Sequence, residues 1–251
     1  MMAENTFKTA LMAGRPQIGL WLGLADPYAA GLVAGAGFDW LVIDGEHAPN
    51  DLRSTLGALT AIGTRAHAVV RPPIGEVRMV KQLLDIGATT LLIPMIDSAE
   101  AARTMVAAVR YPPTGRRGVG ASLARASDFG RVKGYMAGAD EGICLLLQVE
   151  SRAGLAALPE ILTIEGVDGV FIGPADLAAD MGYPGQLTAP PVQEAIAGAI
   201  RAISASGKAA GILTGDRALA KDYLAMGATF VAVGSDIGVL TAGLADLRAA
   251  F

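Results

Sequence analysis

Glu150 follows Gln148 by two residues in Q-V-E-S, and Asp176 closes the run F-I-G-P-A-D. Each acid stands just past an apolar run of strand composition, Cys144–Val149 before the first and Val167–Ile172 before the second. On a strand, Gln148 and Glu150 point to the same side. Two carboxylates at the exit ends of neighbouring parallel strands can converge on one hard divalent cation. Such an ion takes one or two protein carboxylates and leaves its other positions to water and substrate. The plainer reading makes both residues loop acids. In that reading Asp176 caps a helix over Leu177–Met181; in either, Gly173, Pro174 and Ala175 carry the strand into a tight turn ahead of Asp176. Spacing alone does not choose between the two.

Other strand ends add to the set. Arg71 ends H-A-V-V-R as a fixed positive fork, suited to a carboxylate or a developing oxyanion; its plainer role is an ion pair with a neighbouring acid. His47 lies three residues after Asp44 in D-G-E-H-A-P-N. An imidazole beside an acid is held in one tautomer and serves as a base near neutral pH, although a lone loop histidine is more often mere surface. The second of the two histidines, His67, begins its strand and reads as structural. Trp21, Pro94, Leu213 and the pair Ser235-Asp236 complete the list of strand ends. Gly234-Ser235-Asp236 also allows a weak phosphate-loop reading. A Schiff-base aldolase needs a lysine near the strand ends. Lys8, Lys81, Lys133 and Lys221 fall on expected helices, and Lys208 precedes its strand, which leaves a metal-assisted route.

These residues need a scaffold that brings many strand ends to one face. The sequence predicts strands at Gln17–Leu24, Trp40–Asp44, His67–Arg71, Thr90–Pro94, Cys144–Val149, Val167–Ile172, Ala209–Leu213 and Phe230–Val233. Helices are expected between them, including Leu52–Ile62 capped by Asn50 or Asp51, Ser98–Val109, Ala126–Ala137 and a closing helix at Ile237–Ala250. Buried parallel strands read as apolar runs, as these do. About eight strand–helix alternations without a composition break predict one α/β domain over residues 1–251, a (β/α)8 TIM barrel. A doubly wound open sheet is the alternative, weakened by the missing G-x-G-x-x-G after the first strand.

Composition bounds the function. The chain is 52% hydrophobic and 18% charged, enough for a large core, and 32 glycines suit many short turns. A net charge of −4 without a basic cluster argues against nucleic-acid binding. No apolar run is long enough to span a membrane, and the N-terminus lacks a secretory pattern, so a cytoplasmic protein is expected. The single cysteine, Cys144, excludes an internal disulfide and reads as core.

Taken together, D-G-E-H-A-P-N, V-R-P-P at Val70–Pro73, Y-P-P-T-G-R-R-G-V-G at Tyr111–Gly120, Q-V-E-S and F-I-G-P-A-D-L resemble the metal-dependent class II pyruvate aldolases. That family is typified by 4-hydroxy-2-oxoheptane-1,7-dioate aldolase and 2-dehydro-3-deoxyglucarate aldolase, and the resemblance covers essentially the whole chain. It implies a TIM barrel of the phosphoenolpyruvate/pyruvate-binding type. It also implies reversible cleavage of 4-hydroxy-2-oxo acids to pyruvate, or hydroxypyruvate, and an aldehyde with Mg2+, Mn2+ or Co2+. By the same resemblance Glu150 and Asp176 hold the metal, and Arg71 steadies the enolate. Gln148 and Ala175 contact the keto acid, with Gly173, Pro174, Trp21 and Leu213 lining its site. His47 acts as base, with Asp85 or Asp44 raising its basicity. A homo-oligomer is expected, a hexamer of dimers that exchange the C-terminal helix, residues 237–250. A citryl- or malyl-thioester lyase on the same barrel is a rival, disfavoured by the low basic content. A barrel that binds keto acids without turning them over is another.

Overall fold

The apolar runs become the eight strands of a closed, all-parallel barrel in which each strand pairs with the next in sequence and β8 returns to β1. The computed structural model describes residues 4–251. Its strands are β1 Gln17–Leu22, β2 Trp40–Asp44, β3 His67–Arg71, β4 Thr90–Ile93, β5 Cys144–Val149, β6 Gly169–Ile172, β7 Ala209–Leu213 and β8 Phe230–Ser235. The helices are α1 Thr6–Met12, α2 Pro27–Val33, α3 Leu52–Ile62, α4 Val77–Asp85, α5 Ala99–Val109, α6 Tyr135–Gly138, α7 Arg152–Ile161, α8 Pro174–Asp180, α9 Pro190–Ala205, α10 Arg217–Ala225 and α11 Asp236–Ala249. The (β/α)8 expectation holds. Among the described residues no helix is long and apolar enough to cross a membrane.

Strand phase sorts the core into two layers. Leu41, Ile43, Val70, Leu91, Ile93, Leu145, Leu147, Val170, Ile172 and Val231 pack outward against the helices. Their alternates, Trp40, Val42, Val69, Leu92, Cys144, Leu146, Phe171, Phe230 and Ala232, fill the barrel. Wide aromatic rings fit there because Gly19 leaves room: a Cβ on it would collide with the indole of Trp40. Phe7 of α1 closes the mouth at the strand starts, against Trp40, Phe230 and His67. The inward phase continues past Val42 to Asp44, past Val69 to Arg71, past Leu146 to Gln148 and Glu150, and past Phe171 to Gly173. The strands therefore deliver those side chains to the opposite mouth.

Several local expectations are corrected. The helix foreseen over Ala126–Ala137 does not form. Asp128, Phe129, Gly130 and Gly134 all have positive φ, which breaks that stretch into a short 3-10 turn at Arg125–Ser127 and the four-residue α6. Pro174, Ala175 and Asp176 are not a turn ahead of a helix but its first turn, with Gly173 as N-cap; Asp176 makes no capping hydrogen bond. The phosphate-loop reading of Gly234-Ser235-Asp236 also fails. The buried Asp236 carboxylate accepts hydrogen bonds from the amides of Gly23 at 2.8 Å, Leu24 at 3.2 Å and Ile237 at 2.7 Å, so the protein supplies its own anion.

The closing helix α11 buries only Asp236 of its own length. Val239, Leu240, Leu244 and Leu247 are exposed by 49–66%, and Tyr28 and Leu32 of α2 by 87% and 73%.

Candidate active site

Asp44 and Arg71 are register partners across β2 and β3, so their side chains meet. Arg71 donates to Asp44 through Nε at 2.9 Å and Nη2 at 2.7 Å. Its Nη1 lies 2.7 Å from Oε2 of Glu46. The guanidinium stands 5.4 Å from the Trp21 ring centroid. Arg71 and Asp44 are buried, at 6% and 3% exposure. Burial works to raise the Asp44 carboxyl, but the Arg71 hydrogen bonds and charge, with the amides of Glu46 and His47, outweigh it and hold it below its ordinary value. The ion-pair reading of Arg71 is thus realised.

On β5, Gln148 donates through Nε2 to Oε2 of Glu150, and the Met95 amide donates to Oε1 of Glu150 at 2.8 Å. Met95 has φ of 55°, an uncommon conformation for a non-glycine residue, and it aims that amide at the carboxylate. Gly173, on the neighbouring strand's exit, is required here, because a Cβ on it would strike Glu150. Burial raises the Glu150 carboxyl, its two hydrogen bonds lower it, and the Asp176 charge raises it again, leaving it above its ordinary value. The buried Gln148 Oε1 has no hydrogen-bond partner among the described residues.

Asp176 lies in the exposed first turn of α8, directly after β6, which pairs with β5. Glu150 and Asp176 are a pair; no group of three or more histidine, cysteine or acidic side chains is arranged to hold a metal ion among the described residues. Two carboxylates, one oriented by hydrogen bonds and raised chiefly by burial, with its neighbour's charge adding to it, suit an open site for a hard cation that keeps positions for water and substrate. No lysine stands at these strand ends: Lys8 and Lys208 donate to the carbonyls of Ile143, Ile164 and Val167, which precede β5 and β6, Lys81 and Lys221 lie on α4 and α10, and Lys133, expected on a helix, lies in the loop before α6.

A family model described as HpcH/HpaI aldolase/citrate lyase matches residues 17–242. The chain belongs to this family. It is 60% identical over 249 residues to a hydroxypyruvate/pyruvate aldolase of Deinococcus radiodurans, covering 99% of this chain and 90% of that protein. It is 56% identical over 249 residues to a 4-hydroxy-2-oxo-heptane-1,7-dioate aldolase of Salmonella dublin, covering 99% and 95%. The crystal structure of an HpcH/HpaI aldolase/citrate lyase family protein from Burkholderia cenocepacia superposes with a TM-score of 0.94 at 38% identity, covering 98% of this chain and 99% of that one.

Within this HpcH/HpaI-family barrel, Trp21, Asp44, Arg71, Gln148, Glu150, Gly173 and Leu213 share one phase and one mouth, and Pro174, Ala175 and Asp176 follow directly. Two expected partnerships are absent. The His47 ring is not on Asp44, whose oxygens go to Arg71 and to the amides of Glu46 and His47. Asp85 ends α4, just before β4 begins, so within one chain it lies at the opposite mouth from His47. There it stands 3.5 Å from Nη2 of the buried Arg117. A cavity of about 940 Å³ is at that same far mouth around Asn5, Phe7 and His67, away from the converging acids. It is a groove between α1 and the strand-start loops.

Sequence reasoning missed Glu46 and Met95. Glu46 follows Asp44 by two residues, the same spacing that paired Gln148 with Glu150, so the signal was present. Nothing in the sequence marks a methionine amide as the partner of Glu150.

Proposed function

We propose that the protein is a metal-dependent class II aldolase that cleaves 4-hydroxy-2-oxo acids to pyruvate or hydroxypyruvate and an aldehyde, and joins them in reverse. The observation that carries this reading is the meeting of Glu150, Asp176, Gln148 and Arg71 at the C-terminal mouth of a family barrel with no lysine placed for an imine. Glu150 and Asp176 would hold Mg2+, Mn2+ or Co2+. A bound divalent cation supplies Lewis-acid stabilisation of negative charge on the 2-oxo oxygen.

The chain's own residues do the rest. Arg71, fixed by Asp44 and backed by Trp21, presents a preorganised positive charge where the enolate oxygen develops. Gln148 orients Glu150 through its Nε2. Its unpartnered oxygen calls for a donor, which a substrate hydroxyl or a water provides. Ala175 offers a first-turn amide that α8 does not use itself, a donor for the keto-acid carboxylate. Gly173, Pro174 and Leu213 bound the space beside it. His47 is exposed and free to take the 4-hydroxyl proton, directly or through water. Asp85 can raise the basicity of a His47 only across a subunit contact, because its own His47 is at the other mouth.

The bare apolar side of α11 supports a homo-oligomer in which residues 237–250 are exchanged, and we assign the family's hexamer to it. A cytoplasmic setting belongs to the same proposal. The deciding assay is pyruvate release from a panel of 4-hydroxy-2-oxo acids with and without EDTA. Activity is expected to vanish on chelation and return with Mg2+, Mn2+ or Co2+. Borohydride trapping of a pyruvate adduct would overturn the mechanism, and a panel with no pyruvate release would overturn the activity.

A further inference from the structure

Arg71 is flanked by two acids that hold it differently. Asp44 grips Nε and Nη2 together at 2.9 and 2.7 Å and is almost fully buried. Glu46 stands 2.7 Å from Nη1, yet its Oε2 is buried and completes no hydrogen bond among the described residues. That same oxygen lies 3.9 Å from Nε2 of His47. A guanidinium carries one positive charge, and Asp44 alone balances it. With Glu46 also ionised the cluster is net negative, the wrong sign for receiving a keto-acid anion or a growing enolate. One acid must withdraw. The bidentate pair with Asp44 is a double, charge-assisted bond set across adjacent strands. The contact to Glu46 is single, off-axis and at the rim of the loop after β2.

We propose that Glu46 is a positioning residue with two stations, occupying Nη1 of Arg71 in the free enzyme and passing to His47 when an anionic keto acid claims that edge of the guanidinium. This rests on the functional reading above. At the first station Glu46 competes with the substrate's charge. At the second it orients the imidazole and favours its protonated form, which Asp44 and Asp85 do not do within this chain. The groups facing Glu46 are Arg71 on β3, Asp44 and His47 on its own segment, and Glu150 just past β5. Asp44 and Glu150 both repel it, so moving outward to His47 relieves two like-charge contacts while Arg71 gains a new anion.

The test uses the Mn2+-loaded enzyme, its Glu46→Gln and Glu46→Asp variants, and oxalate as an enolate-shaped dianion. Oxalate affinity is read by calorimetry, cleavage by kcat and KM, and the base by the acid limb of the kcat profile, which reports the substrate-bound enzyme in which Glu46 is on His47. Removing the internal competitor is expected to tighten oxalate binding in Glu46→Gln by about tenfold. Removing the carboxylate from His47 is expected to lower kcat by more than about tenfold and move the acid limb down. Glu46→Asp should restore part of that limb. Unchanged or weaker oxalate binding in Glu46→Gln overturns the first station, and an unmoved acid limb overturns the second. If Glu46→Gln is misfolded by circular dichroism, Glu46→Asp alone decides. Its shortened side chain should bind oxalate more tightly than the parent, and failure to do so overturns the proposal. A parent that binds oxalate yet releases no pyruvate overturns the functional reading instead and leaves the oxalate comparison intact.

Discussion

Arg71→Lys is the substitution with the most to report. Arg71 is 6% exposed and makes three contacts of 2.9, 2.7 and 2.7 Å with two carboxylates. A lysine ammonium is a point charge on a longer, looser stem and cannot span Nε, Nη1 and Nη2. At least one oxygen of the buried Asp44 loses its donor. Losing charge-assisted bonds at a buried acid places the cost at about 2–4 kcal/mol. A fold worth about 5–15 kcal/mol survives that. The loss depends on pH. The Asp44 carboxyl is held below its ordinary value of 3.8, so its contribution is present above the unfolded value and is lost as pH falls through the folded one. The variant has less of this contribution to lose. The gap between parent and variant is therefore widest near pH 7 and narrows below pH of about 4. Urea unfolding followed by circular dichroism at a series of pH values measures it. In parallel, kcat should fall by about 10²–10³ for both aldol cleavage and oxaloacetate decarboxylation, because both pass through the enolate. A gap below about 0.5 kcal/mol, the usual size of a surface effect, or one that does not change with pH, would refute the reasoning.

His47→Ala should lose aldol cleavage by about 10²–10⁴-fold and much less of the decarboxylation, in which no hydroxyl proton leaves; equal losses would assign His47 to positioning instead. Glu150→Gln and Asp176→Asn should each weaken Mn2+ binding by more than about tenfold in a titration, with the fold intact by circular dichroism; parent-like affinity removes that residue from the ligand set. His67 is pushed by burial to about 4 from 6.5, so its neutral form belongs to the fold. That stability is present above pH 6.5 and lost as pH falls toward 4, by at most about 3 kcal/mol, and His67→Gln should flatten this acid limb in urea melts. Light scattering at micromolar concentration should give an oligomer; a monomeric mass refutes the exchange of α11.

The barrel was legible because strands buried on both faces leave apolar runs that few other structures produce. Cys144–Val149 and His67–Arg71 have the bounds the sequence assigned them. The convergence of Arg71, Gln148 and Glu150 was legible for the same reason: each sits two residues beyond an inward-facing core position. Three things were not. The segment after α5 carries helix-forming residues, yet Asp128 and Phe129 take left-handed conformations that local propensity does not encode. His47 follows Asp44 by three residues in sequence, but register gives the carboxylate to Arg71 across the sheet. Asp85 was grouped with His47 by resemblance, and only the antiparallel course of α4 reveals that one chain keeps them at opposite mouths.

The carboxylate of Asp236 sets how α11 leaves the barrel. It pins the first turn of the helix to Gly23 and Leu24, at the end of β1, while the remaining turns lean on almost nothing. A limb anchored at its root and bare along its length behaves as a fixed strut, not a tether. Its direction is decided before any second molecule arrives, so the orientational freedom lost on docking is smaller than for a flexible tail. The same root also ties the limb to the loop that follows Trp21, so a load on the strut is felt beside the ring that backs Arg71.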